Sequence, residues 1–446
     1  MGGARRQPRS FRLEPGNCEA TVVTTHAVTQ RLAAVDEANL VLDHVGQVNV
    51  FLVAGLLAPG GFLAADGTPS MAELRDALRG RVAALPALCT SAVASGRWHR
   101  WVETEPDLEH HIRLVEPVDG RAGLEQMCAE LMTRPLLLDR PLWEILVVPG
   151  AATAAAGVVL RIHHAIADGM AAVAIVQQLF DLREPRQTSA NASGLHVSTV
   201  APRRGLRHTL RRLRVGLRRI RKTLRGGDVG PTVLLGERSP HRGVAFLRTD
   251  IEALETRVRP RGATVNDALL AAVASGFRAA LTAAGEPIPV ELPVSVPVAL
   301  RRRGPAGNQV GVMLVRLPLG EPDPDERLRL IAEQTRGEKV RAREQGTLEF
   351  MRGPVGARIM DRVARRQHLV AGFVTNVSGP EGALCLAGAQ VTALWPVAVL
   401  AGNVRLGVAA VSYDGRLCCG IHFDAANVPG AAFAHAMAEE MARLGE

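Results

Sequence analysis

Residues 157–181 restrict the fold more than any other stretch of the chain. They open with an apolar run rich in β-branched side chains, at 158–162, which is typical of a buried strand. Two adjacent histidines and a few small residues follow, and residues 169–180 are then apolar on nearly every face over about three helical turns. The pattern predicts a buried strand, a tight loop and a buried helix. Because the histidines close the strand, a rigid scaffold would direct a titratable side chain into a cleft.

The two histidines belong to the motif His163-His164-x-x-x-Asp168-Gly169. Its four fixed positions make it far more specific than a short glycine pattern. The motif resembles the signature HHxxxDG of an acyltransferase superfamily, which includes chloramphenicol acetyltransferase-like enzymes and the condensation domains of peptide synthetases. Within that superfamily, the chain most resembles the bacterial bifunctional wax ester synthase/diacylglycerol acyltransferase family.

Other segments follow the order of that family from about residue 32 to residue 440. Pro141-Leu142-Trp143 precedes the histidines, and Asn266-Asp267 opens a later helix. The opening of the chain departs from the family pattern, because Asn39 stands where an aromatic residue is usual and Val50 where a strand histidine is usual. Asp43 provides the expected acidic residue. This departure concerns the preferred acyl acceptor more than the reaction.

The resemblance implies an α/β fold of two chloramphenicol acetyltransferase-like domains. Each would be a mixed sheet flanked by helices, with an active-site tunnel between the two. A chain of 446 residues, 47% of them hydrophobic, accommodates two sizeable cores. We expect a flexible arm at 1–30, a first domain at 31–185, a linker at 186–240 and a second domain at 241–446, since Ser, Asn, Thr, Pro and Arg dominate residues 185–205.

Local signals predict individual elements. A helix at 70–85 is expected to begin with a capping box between Ser70 and Glu73. Residues 96–102 and 110–114 alternate like two paired strands, which would place His110 and His111 on opposite sheet faces.

The histidine motif indicates base catalysis. An alcohol is a weak nucleophile at neutral pH, and histidine, with an ordinary pKa of about 6.5, is suited to accept its proton. By the resemblance, His164 is the general base and transfer is direct, without an acyl-enzyme. His163 would point to the opposite side of the extended backbone and support the site. Asp168 either orients His164 or, as its place at a helix start favours, holds the loop, and Gly169 permits close packing at the turn.

Four further residues are candidates for the wall of the substrate channel: Asn266, Asp267, Trp143 and Asp43. The amide of Asn266 could bind substrate or hold the wall, and Thr264 could cap the helix that follows it. For Trp143 we favour burial of the ring beneath the active loop.

Residues 203–225 carry eleven Lys or Arg and no acidic residue, more than the net charge of +9 of the whole chain. An apolar stripe recurs there at spacings of three and four, which predicts a basic amphipathic helix. The stripe consists of Leu206, Leu210, Leu213, Leu217, Ile220 and Leu224. Such a helix is typical of contact with an anionic membrane surface or a lipid droplet. Packing on the protein itself is the alternative, whereas nucleic-acid binding is disfavoured because no aromatic residues are interleaved.

Composition and hydrophobic patterning indicate where in the cell the protein is located. No apolar run approaches the roughly 20 residues that cross a bilayer, and the first 30 residues lack the hydrophobic segment of a signal peptide. The six cysteines show no CxxC spacing, which predicts reduced thiols and no metal site. We expect a cytoplasmic protein, peripheral to the inner face of the plasma membrane or to lipid droplets.

These observations predict an acyl-CoA-dependent O-acyltransferase that makes triacylglycerol, wax esters or both. Acyl-CoA would be a co-substrate, with no permanently bound cofactor. No GxSxG elbow occurs, which disfavours a serine hydrolase. Two alternatives stay open: a condensation-type transferase that uses a carrier-protein thioester or a natural-product acceptor, and a non-catalytic protein of lipid surfaces.

Overall fold

The computed structural model describes residues 29–43, 47–96, 98–167, 169–182, 229–299, 310–345, 358, 361–380 and 382–446. The strands in these residues are β1 Thr29–Arg31, β2 Val50–Leu57, β3 Thr90–Ser95, β4 Trp98–Glu103, β5 Ile112–Leu114, β6 Trp143–Ala152, β7 Ala155–His163, β8 Asp181–Leu182, β9 Arg242–Asp250, β10 Leu292–Ala299, β11 Val310–Leu317, β12 Gly372–Val377, β13 Leu384–Leu386, β14 Ala389–Val397, β15 Leu406–Tyr413 and β16 Arg416–Asp424. The α-helices are α1 Ala34–Asp43, α2 Met71–Ala83, α3 Leu108–His111, α4 Gly120–Leu131, α5 Gly169–Leu179, α6 Ile251–Val258, α7 Val265–Ala283, α8 Pro324–Gln345 and α9 Gly430–Gly445.

The first sheet has seven strands in the order β5-β6-β7-β2-β14-β13-β8. Its central strands β6, β7 and β2 are rich in Val, Leu and Ile and are buried along most of their length. In the β6–β7 hairpin Trp143 opposes Ile162, and β2 runs antiparallel to β7 with Val50 opposite His163. Strands β6 and β7 therefore form a hairpin, and Ala154 adopts a positive φ of 47° in its turn.

The second sheet has six strands in the order β11-β10-β12-β15-β16-β9. The pairs β10–β12 and β12–β15 are parallel, and the other neighbours are antiparallel. Helix α7 is apolar on most faces and shares one core with this sheet and with α9. Gly276 allows that close packing, because a Cβ there would lie 2.9 Å from ring atoms of Phe433.

Two strands from the second half of the chain complete the first sheet. Strand β14 pairs antiparallel with β2, with Val397 opposite Leu52, and β13 pairs with β14 and β8. Trp395 of β14 stacks on Phe246 of β9 with ring centroids 4.8 Å apart and donates its indole N–H to the carbonyl of Leu247 at 3.1 Å. The expected second domain, 241–446, thus contributes residues 384–397 to the sheet of the first.

Two local predictions are wrong. Ser70 is the N-cap residue of α2, but its side chain makes no capping hydrogen bond, so the expected capping box with Glu73 is absent. His110 and His111 end the short helix α3, which the side chain of Asp107 caps by accepting the N–H of Glu109 at 3.0 Å. Strand β5 begins after them and pairs with β6, whereas β4 pairs with β3 and β1.

Other predictions concern later elements. Thr264 caps α7, as expected, and forms a capping box with Asp267. The predicted arm at 1–30 lies outside the described residues except for its last two positions, and the basic segment 203–225 lies entirely outside them. None of the described helices combines the length and the apolar character that a bilayer-crossing segment requires.

Replacing Trp395 by alanine is expected to lower the free energy of unfolding by roughly 3–5 kcal/mol, because it leaves a cavity where a ring is 2% exposed. Equilibrium urea denaturation measures the change. Trp98→Ala is the matched control, since Trp98 is half-buried beneath the guanidinium of Arg31, and its loss is expected to cost about 1 kcal/mol or less. Equal costs would contradict the role of Trp395 at the junction.

Candidate functional site

Hydrogen bonds to three segments hold the backbone of the two histidines at the end of β7. The N–H of His163 donates to the carbonyl of Leu142 at 3.0 Å, which continues the β6–β7 pairing. The N–H of His164 donates to the carbonyl of Asn49 at 2.9 Å, in the segment that leads into β2. The N–H of Ile166 then donates to the carbonyl of His163 at 3.1 Å and turns the chain out of the sheet. The histidines therefore stand where the strand ends, as predicted.

His163 is enclosed by the protein and has no exposed surface. Its Nδ1 accepts the N–H of Ala165 at 3.0 Å, which places the ring proton on Nε2. Nε2 lies 3.6 Å from Oδ2 of Asp43, a separation too long for a hydrogen bond but close enough for electrostatic attraction. His163 is therefore enclosed beside Asp43, and its supporting role stays a prediction.

His164 is half-buried, and its ring lies edge-on to Phe51 with centroids 5.1 Å apart. Loss of hydration lowers the pKa of His164 to about 4, with a smaller contribution from the neighbouring His163. The ring is therefore unprotonated at neutral pH. An unprotonated imidazole in an apolar setting can accept a proton from a bound hydroxyl.

A network of polar side chains, which sequence patterns did not single out, connects α1 and the segment before β2 to the backbone of His164. The side-chain amide of Asn39 donates to the carbonyl of His164 at 3.0 Å, and the amide of Asn49 donates to Oδ1 and to the carbonyl of Asn39, both at 3.1 Å. The N–H of Asn49 donates to Oδ1 of Asp43 at 2.6 Å. Asp43 is therefore bonded to the segment that leads into β2 and lies near His163, and its place in a channel wall stays a prediction. In the sequence, the signal for this network was Asn39, which stands four residues before Asp43 in α1.

Trp143 lies in the core, so it is corrected from a channel candidate to a structural residue. Its ring has no exposed surface and donates from Nε1 to the carbonyl of Leu88 at 2.8 Å. It stacks on His111 with centroids 4.6 Å apart, and Nδ1 of His111 contacts the carbonyl of Trp143 at 2.7 Å. The ring is therefore buried, as we favoured.

A buried ion pair connects the two strands of the hairpin. Arg161 of β7 is 3% exposed and contacts Glu144 of β6, and it also donates to the carbonyl of Leu131 at 2.9 Å. Arg113 of β5 contacts the other carboxylate oxygen of Glu144 at 2.6 Å. One carboxylate thus joins three neighbouring strands. The sequence signal for it was the single charged residue in the apolar run 158–162.

Asp267, in helix α7 beside the second sheet, is likewise a structural residue and not part of a channel wall. Its carboxylate is 2% exposed and accepts the N–H and the hydroxyl of Thr264 at 2.8 and 2.7 Å, and the hydroxyl of Thr335 at 2.7 Å. These bonds use both oxygens to fix the helix start. Asn266 beside it is half-buried and stays a channel candidate.

Other candidates lie partly or wholly outside the described residues. Asp168 lies outside them, and Gly169 is the first residue of α5. The six apolar residues of the basic stripe between 206 and 224 also fall outside. Within the part of the chain that the structure describes, no cluster of three His, Cys, Asp or Glu side chains could hold a metal ion.

Comparison with known sequences covers most of the chain. The profile of the wax ester synthase/diacylglycerol acyltransferase catalytic domain matches residues 32–269, and that of the WS/DGAT C-terminal domain matches residues 306–444. A protein of Mycobacterium tuberculosis described as a diacylglycerol O-acyltransferase is 29% identical over 359 residues, which are 72% of this chain and 71% of that protein. Another from Mycobacterium bovis is 28% identical over 372 residues, 74% of each chain.

Comparison with solved structures concerns the fold. The wax ester synthase/diacylglycerol acyltransferase from Marinobacter aquaeolei VT8 superposes with a TM-score of 0.71 at 20% identity, covering 93% of this chain and 98% of that one. The first condensation domain of the calcium-dependent antibiotic synthetase superposes with a TM-score of 0.57 at 16% identity, covering 94% and 96%. The α/β fold of chloramphenicol acetyltransferase type that the sequence predicted is therefore confirmed.

The low pKa of His164 predicts a pH dependence of stability. Because the folded-state pKa of about 4 lies below the ordinary 6.5, the stability contributed by unprotonated His164 is complete above pH 6.5 and is lost as pH falls towards 4. His164→Gln, which cannot titrate, is expected to show a smaller fall of the unfolding free energy across that window. Part of the fall persists, since burial also lowers the pKa of His422, to about 3. Urea denaturation at several pH values measures it, and an unchanged slope would contradict the burial of His164.

Proposed function

The chain belongs to the wax ester synthase/diacylglycerol acyltransferase family and is an O-acyltransferase, and we propose that it transfers a fatty acyl group from acyl-CoA to the hydroxyl of a diacylglycerol or a long-chain alcohol. One observation carries the proposal. His164 stands half-buried at the end of β7 with a pKa that leaves its imidazole unprotonated at neutral pH. A hydroxyl acceptor bound against that ring would meet a ready base.

In the proposed reaction, His164 accepts the proton of the acceptor hydroxyl while the oxygen attacks the thioester carbonyl carbon. The carbon–sulfur bond then breaks, and the imidazolium returns the proton to the leaving thiolate. The products are an oxygen ester and free coenzyme A, and His164 is regenerated. The base must lie close to both oxygen and sulfur in one ternary complex, which explains why its orientation is held so tightly.

Direct transfer agrees with the state of the cysteines. A covalent route needs a thiolate or an activated hydroxyl beside the base. Cys128 and Cys419 are fully buried, and loss of hydration raises the pKa of both thiols far above the usual range. These thiols are therefore unsuited to act as nucleophiles.

The other motif residues receive supporting roles in this proposal. His163 holds the turn through Ala165 and faces Asp43. Asp168 would hold the loop between β7 and α5, and Gly169 would let the two approach closely. Asn266 would contribute an amide to the wall of the channel between the two domains, 31–185 and 241–446, which residues 186–240 link.

Two observations favour a second candidate function, that of a condensation-type transferase. Asn39 and Val50 stand where the resembled family has an aromatic residue and a histidine, and the fold also matches condensation domains. The same base could therefore act on a carrier-protein thioester or a natural-product acceptor. Activity with a carrier-bound acyl group and none with acyl-CoA would favour this alternative, and no transfer with either donor would favour a non-catalytic protein of lipid surfaces.

We also propose that residues 203–225 bind an anionic membrane surface or lipid droplet on the cytoplasmic side. Lipid acceptors reside in such surfaces, so anchoring would supply them to the site. Eleven cationic residues would attract anionic headgroups, and the apolar stripe would enter the acyl boundary.

Purified protein is expected to release free thiol from palmitoyl-CoA when hexadecanol or a diacylglycerol is present. His164→Ala is expected to reduce the rate roughly 10²–10⁴-fold, because it removes the base. A colorimetric thiol assay measures the release. His435→Ala is the matched control, since His435 is 77% exposed on α9 and pairs with Glu439. Folded wild-type protein that released no thiol with either acceptor would refute the acyl-CoA reaction.

Deleting residues 206–224 is expected to reduce sedimentation with vesicles that contain anionic lipid, because the deletion removes eight of the eleven cationic residues and the whole apolar stripe. Binding by the intact protein should weaken as salt rises. Vesicles of neutral lipid serve as the control. Equal sedimentation of the two proteins with anionic vesicles would remove the membrane assignment.

A further inference from the structure

We propose that Asn39 and Asn49 form a coupled amide pair that positions His164 for proton transfer. The proposal rests on the proposed function of His164 as the base. It assigns both asparagines as positioning residues, which act through His164 and not on the substrate. The hydrogen bonds of the pair carry the inference.

The two residues hold the backbone of His164 on both sides. The N–H of His164 donates to the main-chain carbonyl of Asn49 at 2.9 Å, a bond that a side-chain substitution keeps, and the carbonyl of His164 accepts the side-chain amide of Asn39 at 3.0 Å. The peptide groups before and after the residue are therefore fixed together. Since the backbone sets the direction of the Cα–Cβ bond, these two bonds limit where the ring can point.

The orientation of the Asn39 amide follows from its partners. The amide nitrogen of Asn49 lies 3.1 Å from Oδ1 of Asn39, so this oxygen must accept, and the nitrogen of Asn39 is left to face the carbonyl of His164. If the amide of Asn39 were reversed, its nitrogen would face the amide nitrogen of Asn49, which is also a donor. Its oxygen would face the carbonyl of His164, which is also an acceptor. Loss of Asn39 would therefore remove the bond to the carbonyl of His164, and loss of the Asn49 side chain would remove the donor that orients the Asn39 amide.

One face of α1 serves both histidines. Asn39 and Asp43 are four residues apart, and side chains at that spacing lie on the same side of a helix. Asn39 holds the carbonyl of His164, while Asp43 lies 3.6 Å from Nε2 of His163 and accepts the N–H of Asn49 at 2.6 Å. A shift of α1 would therefore disturb both rings together.

The chemistry needs such a clamp because, among the residues that the structure describes, the ring of His164 makes an edge-on contact with Phe51. That contact is apolar and weakly directional. The backbone on either side must then supply the orientation. A misplacement of about 1 Å at a reacting group costs on the order of 10²-fold in rate.

The test compares Asn39→Leu and Asn49→Leu, which keep roughly the size of the side chain and remove its hydrogen-bonding groups. Each is expected to lower kcat roughly 10–100-fold while KM for palmitoyl-CoA changes less than about threefold. The double variant is expected to be no worse than either single variant, because the pair acts as a unit. Gln178→Met is the matched control, since the amide of Gln178 is exposed and bonds within α5.

Imidazole ¹H–¹⁵N correlation spectra supply a readout that does not need activity. The ring resonances of His164 are expected to shift in both asparagine variants and to stay in place in Gln178→Met, with folding checked by circular dichroism. If wild-type protein proved inactive, these shifts would still test the clamp, so failure of the proposed function and failure of the inference are distinguishable. Folded asparagine variants with unmoved His164 resonances, or with wild-type kcat, would overturn the inference.

Discussion

The pairing of β7 with a strand on each side is the constraint on which the site depends. Trp143 of β6 pairs with Ile162, and Val50 of β2 pairs with His163, so the two ladders end at Ile162 and His163. His164 is then the first residue to leave the sheet. A slip of one residue in either ladder would exchange the faces of the two histidines and bury His164, the proposed base. The position of His164 is therefore a property of the whole sheet, including the strands that the second half of the chain contributes.

Burial of His164 would balance two requirements of the proposed base catalysis. Loss of hydration keeps the imidazole unprotonated at neutral pH, which is the form that can accept a proton. The same setting weakens the affinity of the ring for a proton, which lowers its strength as a base. Desolvation of the bound hydroxyl and a fixed geometry would compensate for that weakness, and the hydrogen bonds around His164 are consistent with such a design.

Features encoded by neighbouring residues could be predicted, and features created by distant pairings could not. The strand, loop and helix around His163, and the capped start of α7 at Thr264, follow from local patterns and agree with the structure. His110 was assigned to a strand because its alternation resembled one, while Asp107 caps a helix turn there. The roles of Asn39 in the clamp and of β14 in the first sheet depend on partners far along the chain, which no local pattern shows. Asp267 was a channel candidate because of the Asn266-Asp267 motif, but its side chain caps the start of α7 and is structural.

The return of β14 to the first sheet sets an order of events during synthesis. Strand β2 is made early, but its neighbour on the side away from β7 is more than three hundred residues further along the chain. At about 5–20 residues per second, the ribosome needs on the order of tens of seconds to deliver that partner. Throughout this interval the edge of β2 is an unpaired hydrophobic strand, the kind of surface that recruits other chains. The nascent protein is thus most exposed to aggregation before its second half emerges, and its yield in a cell depends on how that edge is shielded.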